Sequence, residues 1–205
     1  MRPFVGRYVN AELLREVVAT RRWRWTSVSA SHSEIILDAD GNANVITNWH
    51  EAGPFSGDSK DWSFACFETL GKDILLRFPN QPNPSKPIHF RRIPWGAGES
   101  DDAYYFDLLF KGCFLDQSRG QWCFTTKKVT VDGKAFDVSM ELDIIGLLEN
   151  ATVLRLKGNE DEEWMFSPRV NGGWLLVKHD LKSPPDEGYE RPDWSKPWKT
   201  LTPIK

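Results

Sequence analysis

Methionine, tyrosine, histidine and cysteine are all scarce in this chain of 205 residues, with three, four, four and three copies respectively. Three cysteines (Cys66, Cys113, Cys123) form an odd, widely spaced set, which fits reduced thiols in a cytosol better than a disulfide framework. The histidines (His32, His50, His89, His179) stand far apart, with no Cys-x-x-Cys or His-x-x-x-His spacing, so no metal site is expected. Excess charge is missing as well. A formal net charge of −3 forces no basic face, and the Arg91-Arg92 and Lys127-Lys128 pairs are too short for a nucleic-acid track. No apolar run approaches the ~18 residues of a membrane span. The opening Met1-Arg2-Pro3-Phe4-Val5-Gly6 has no apolar leader core, so a cytoplasmic location is expected. Nor is there a phosphate-cradling loop. Gly96-Ala97-Gly98 reads as a loop with no helix after it, and no cofactor is expected.

What the chain does carry is ten tryptophans and twelve phenylalanines, enough ring surface to dominate any core they enter. One segment has helical periodicity. Asn10 suits the N-cap, Glu12 the first turn, and Arg21 and Arg22 the last, while Leu13, Leu14, Val17 and Val18 form one stripe. After Arg22 the apolar period falls to two. Glu34–Asp38 and Asn44–His50 flank Ala39-Asp40-Gly41-Asn42, a hairpin signal. Trp62–Thr69 and Lys72–Phe78 meet at Leu70-Gly71. A proline-rich stretch, residues 79–87, is too poor in backbone donors for a sheet and reads as a loop. Ile88–Ile93 and Ala103–Leu109 read as strands around the loop at 96–102. Gln121–Val131 and Lys134–Ile144 flank Asp132-Gly133, the clearest turn in the chain. On the second arm Phe136, Val138, Met140 and Leu142 alternate with polar residues, as in a half-buried antiparallel strand. Thr152–Lys157, Glu163–Phe166 and Trp174–His179 follow, the last after Asn171-Gly172-Gly173.

The expectation is a mainly β chain with a single short N-terminal helix. Roughly ten strands joined by short turns favour an up-and-down antiparallel barrel, which removes exposed edges, with a two-sheet sandwich as the competitor. The barrel is expected to occupy residues 1–182 as one domain. Residues 183–205, with five prolines and with Trp194 and Trp198, are expected to lie extended along the barrel exterior. The acidic run at 159–163 reads as a solvated hairpin tip or a docking surface for a basic partner.

Phe4-Val5-Gly6-Arg7-Tyr8, then a short helix, then a succession of antiparallel strands, resembles the calycin superfamily of lipocalins and fatty-acid-binding proteins. Those families open on a Phe-x-Gly-x-Trp-like element that closes one barrel end, with an Arg from a late strand on its Trp. Tyr8 stands here in place of that Trp. The resemblance implies a lipocalin-like barrel closed by Gly6, Tyr8 and Arg155, carrying a small hydrophobic molecule.

Candidate chemistry is sparse. Cys113 or Cys123 with His50 or His179 is the formal requirement of a nucleophilic pair, but Cys123 between Trp122 and Phe124 reads as a small buried hydrophobe. His50 and Glu51, at a strand end entering a Gly/Pro/Ser loop, are the residues to test for acid–base work. As strand neighbours, however, they point to opposite faces. No catalytic residue is therefore expected. The expected function is non-catalytic binding of a small apolar ligand in the barrel interior or at its rim. Trp49, His50, Trp62, Phe64, Tyr105, Trp122, Phe136 and Met140 are the candidate lining. The alternative is a protein-binding module, of inhibitor or immunity type, with a filled barrel.

Overall fold

A computed structural model of the chain describes residues 4–23, 33–39, 43–46, 55–56, 66–77, 86–94, 101–141, 151–180 and 192–204. The chain divides into two compact units: Met1–Glu16 with Trp25–Ala97, and Val17–Arg24 with Gly98–Lys205. This corrects the expectation of one barrel over residues 1–182. The strands number more than ten and belong to two separate sheets.

The first unit holds β1 (Gly6–Asn10), the start of α1 (Ala11–Thr20), β2 (Glu34–Leu37), β3 (Ala43–Ile46), β4 (Phe55–Ser56), β5 (Cys66–Leu70), β6 (Asp73–Arg77) and β7 (Ile88–Ile93). These strands make a seven-stranded antiparallel sheet in the order β4-β3-β2-β1-β7-β6-β5. The hairpins read at Asp40-Gly41 and Leu70-Gly71 are present as β2–β3 and β5–β6. Asn10 does cap α1: its Oδ1 accepts from the N–H groups of Glu12 (2.9 Å) and Leu13 (3.4 Å). Leu13, Leu14 and Val17 are buried, whereas Val18 is exposed, and Arg21 and Arg22 fall just beyond the helix. Alternation along β1 splits the sheet chemistry cleanly. Tyr8 enters an apolar cluster with Ile35, Ile74, Leu76 and Phe90. Arg7, on the opposite face, is fully buried and donates from Nε to Oε2 of the equally buried Glu34 at 2.5 Å.

The second unit opens on the end of α1 and then holds α2 (Asp101–Phe110), β8 (Gly112–Leu115), β9 (Gln121–Thr125), β10 (Lys128–Val131), β11 (Lys134–Glu141), β12 (Thr152–Leu156), β13 (Asn159–Pro168), β14 (Trp174–Asp180) and β15 (Lys199–Pro203). β8 to β15 run in strict chain order, every neighbour antiparallel, and β15 returns to β8 to close an eight-stranded barrel. The up-and-down architecture is as expected, but it is built from half the chain. At Asp132-Gly133 both residues have positive φ (48° and 84°), the backbone that a tight two-residue hairpin requires. The other tight turn in that region, Thr126-Lys127, splits the expected strand 121–131 in two. It places Lys127 at φ 58° without a glycine to announce it. Gly173 is required for a different reason: a Cβ there would lie 2.1 Å from the Leu201 carbonyl oxygen.

Three further expectations are overturned. Ala103–Leu109 is helix α2, not a strand, and it follows Gly98 closely. Its Ala103, Tyr105, Phe106, Leu109 and Phe110 are buried, and a helix apolar on nearly every side leaves a continuous run that periodicity cannot separate from a core strand. Residues 199–203 are not an exterior strap but the closing strand of the barrel. Pro197 and Pro203 only bracket Lys199-Thr200-Leu201-Thr202, so the donors needed for pairing remain. The acidic run lies within β13, the turn being Lys157-Gly158, and Glu163 is buried with Arg155 Nε 2.9 Å away.

Cys113 and Cys123 face one another across β8 and β9 and are joined by a disulfide. Directly opposed antiparallel residues bring their Cβ atoms within reach of each other, which a count of cysteines in sequence does not reveal. The premise of free thiols behind the cytoplasmic expectation therefore does not hold for this pair. Cys66 is the free cysteine, and it is exposed.

Two stability predictions follow from these contacts. Glu34→Gln leaves a buried guanidinium without its counter-charge and should cost about 3–5 kcal/mol in urea unfolding, whereas Arg7→Met with Glu34→Leu should cost much less. Reducing the Cys113–Cys123 bond should lower stability by about 2–3 kcal/mol, as expected for a short closed loop. Calorimetry with and without reductant reads that difference.

Candidate functional site

Alternation places Trp122 and Phe124 of β9, and Trp164 and Phe166 of β13, on the inner wall of the barrel. These two strands stand four apart in the closed order, on opposite sides of the lumen. Yet Trp122 and Trp164 approach to 5.4 Å between ring centroids, and Phe124 and Phe166 to 5.8 Å. Rings that meet from opposite walls leave no ligand-sized gap between them. The lower layer is completed by α2. Phe110 stacks on Trp174 (4.7 Å) and Phe124 (5.4 Å) and meets Phe166 edge-on (5.0 Å). On this side the chain covers its own rings. Arg21 lies 4.2 Å over Trp174 and donates to the Gly173 carbonyl, and Trp23 packs on Tyr105 at 4.3 Å. Burial lowers the Arg21 pKa from its ordinary value.

The upper layer is different. Trp122, Phe136, Trp164 and Trp198 form a connected ring cluster, with Phe136 5.5 Å from Trp164 and Trp198 5.8 Å from Trp122 and 6.2 Å from Trp164. Trp198, immediately before β15, remains 39% exposed. Ammonium groups lie over these rings: Lys178 4.1 Å from Trp198, Lys134 5.0 Å from Phe136, and Lys199 5.9 Å from Trp198. Glu162 links ring to charge, accepting from Trp164 Nε1 at 2.6 Å and from Lys178 at 2.8 Å. Lys199 is held by Asp116 at 2.5 Å. Trp122 Nε1 is buried and has no hydrogen-bond partner among the described residues.

Asp116 anchors this rim to the closing seam. Burial opposes its ionisation. The bonds from Lys199 and from the N–H groups of Gly120 and Ser118 (both 2.8 Å) outweigh that and hold its pKa below the ordinary carboxylate value.

Of the expected lining, the structure brings Trp122 and Phe136 together at this rim. Met140 is buried in the barrel, with its N–H given to Asp102. Tyr105 sits on α2 beside Trp23, away from the rim cluster. Trp49, His50, Trp62 and Phe64 lie outside the described residues, as does Glu51. The residues expected to close the barrel fall in different units. Gly6 and Tyr8 are on β1 of the first unit, and Arg155 is on β12 of the second, pairing with Glu141 and Glu163. The guanidinium beside Gly6 is Arg92, which donates to the Val5 carbonyl at 2.7 Å, while the Tyr8 hydroxyl donates to Phe4. A nucleophilic role for Cys113 or Cys123 is closed by the disulfide. Among the described residues, no three His, Cys, Asp or Glu side chains gather as a metal site. Sequence reading missed Lys134, Lys178, Lys199 and Glu162, although Lys178 and Glu162 fall on the inward alternation of their strands.

Because the folded-state pKa of Asp116 is depressed, its contribution to stability is complete above the unfolded value of about 4. It is lost as pH falls through the lower folded value. Asp116→Asn should therefore unfold more easily at neutral pH and show a shallower loss of Tm on acidification below pH 4 than the parent.

Comparison of the chain with family models, with curated proteins and with solved structures returned no match.

Proposed function

We propose that the chain is a non-catalytic binding protein whose binding surface is the aromatic rim of the barrel. The carrying observation is the partly exposed Trp198 on a ring cluster at one end of a lumen that, among the described residues, is filled by rings. A ligand buried deep in the barrel, the form suggested by the calycin resemblance, is disfavoured by the Trp122–Trp164 and Phe124–Phe166 contacts. The rim keeps part of what small-molecule sites use: aromatic surface with a few polar groups of fixed position. The ligand is a small, mainly apolar molecule that packs on the rings of this rim. The filled interior also supports a second reading, recognition of a protein partner through the same tryptophan-rich patch, since tryptophan with a flanking cation is a frequent interface anchor.

Intrinsic tryptophan fluorescence should be quenched by an apolar probe such as a naphthalene derivative. Phe136→Leu should weaken that binding about ten-fold, while Phe67→Leu on the first unit leaves it unchanged. If neither quenching nor a calorimetric signal appears, and a protein partner binds stoichiometrically with sensitivity to Phe136→Leu, the small-molecule reading gives way to the second.

A further inference from the structure

The polar groups of the rim carry a consistent bias. The buried atom left unsatisfied there, Trp122 Nε1, is a hydrogen-bond donor. Lys134 adds three more donor positions and has no carboxylate partner among the described residues. The ammoniums of Lys134, Lys178 and Lys199 lie over the rings, against the two carboxylates, Glu162 and Asp116, that pair with them. Asp132 also lies at this end, its Oδ2 and that of Asp116 both beside Gly120, so the charges balance and it is the unmet donors that set the preference. A neutral hydrocarbon would leave the indole N–H unmet. A cation would bring no acceptor for that N–H. What satisfies the rim is a flat ring carrying an anionic acceptor.

The place for such a ring is already occupied by one of the chain's own. Trp198 meets Trp122 nearly perpendicular (80°), packs on Trp164, and lies under the Lys178 ammonium. It does so from a short segment that, among the described residues, is held at its start by local bonds. Asp193 accepts from the N–H and hydroxyl of Ser195, and Lys196 N–H donates to the Asp193 carbonyl.

Resting on the rim as the binding surface, we infer that its ligand class is a planar aromatic anion, a carboxylate or sulfonate on a fused or single ring, and that Trp198 is a tethered stand-in for it. The ligand ring takes the position of the Trp198 indole between Trp122 and Trp164. Its anionic oxygens accept from Trp122 Nε1–H and from Lys178 and Lys134. Glu162 stays bonded to Lys178 and Trp164, so the ammonium remains fixed where the anion arrives. Displacement of Trp198 makes affinity depend on competition within the chain. Removing that indole favours the external ring.

The full chain, titrated with 2-naphthoate, 2-naphthalenemethanol and 2-naphthylmethylammonium, separates these points. Expected is naphthoate binding at least ten-fold tighter than the alcohol, with the ammonium weakest. Lys134→Met should lose several-fold affinity for naphthoate and none for the alcohol. Trp198→Ala should bind naphthoate several-fold tighter. In the unmodified chain, the indole ¹⁵N–¹H signal of Trp122 should move on saturation with naphthoate, a readout that holds even if the Trp198 variant unfolds. Equal binding of naphthoate and the alcohol would overturn the anion inference while leaving the rim as the binding surface. Weaker binding by a folded Trp198→Ala would overturn the stand-in role. Binding of none of the three would remove the rim reading itself.

Discussion

Phe110 is the residue on which the barrel unit depends most. It sits at the last position of α2, and from there it touches rings on β9, β13 and β14 at once. An eight-stranded barrel has an interior just wide enough for side chains to fill, and here a helix is inserted to complete the filling. Each large ring removes 150–250 Å² from water, so several together outweigh the cost of ordering a ten-residue helix against the wall. The helix in turn repairs the wall. β10 pairs β11 only as far as Lys128↔Asp137, after which Met140 N–H would lack a ladder partner. Asp102 of α2 supplies one and also receives Lys127 at 2.8 Å. Ring packing and edge repair thus come from the same short helix.

This filling decides where binding chemistry is left. Across the described lumen, opposite walls touch through their rings. The polar groups that remain near rings are concentrated where Trp198 stops short of burial. The contrast between the two ring layers is one of provenance. Arg21 and Trp23 come from far upstream in the chain to cover the lower rings. The upper rings are covered by a residue adjacent to the closing strand.

Much of this organisation was legible from residues alone, for reasons that differ by element. Asp132-Gly133 and Leu70-Gly71 announce their turns because positive φ selects glycine and aspartate, and both hairpins are present. Thr126-Lys127 makes an equally tight turn with residues that carry no such signature, so a hairpin was read as one strand. α2 was hidden by its own burial: a helix packed on most sides shows no polar face. β15 was hidden by flanking prolines, although the four residues between them keep their N–H groups. The separation of Tyr8 from Arg155 lay beyond sequence reading, since a run of antiparallel strands has the same local pattern whether it closes once or divides into two sheets. The rim was half legible. Its rings stood out by type, but its lysines became visible only when the register placed Lys178 beside Glu162 and Trp198.

The position of Trp198 ties the rim to the integrity of the barrel. It precedes Lys199, and Lys199 both lies near the Trp198 ring and binds Asp116 at the end of β8. Gln117 reinforces the same seam, accepting from Thr200 N–H and donating to the Trp198 carbonyl. The backbone of residue 198 is therefore fixed to the seam, while its indole, among the described residues, is held by ring packing and by the Lys178 ammonium. Side-chain rotation can free the ring without opening the β15–β8 pairing. A tether with a fixed backbone and a releasable ring is what a stand-in requires: the ring leaves, the strand stays, and the barrel does not pay for ligand entry with its closure.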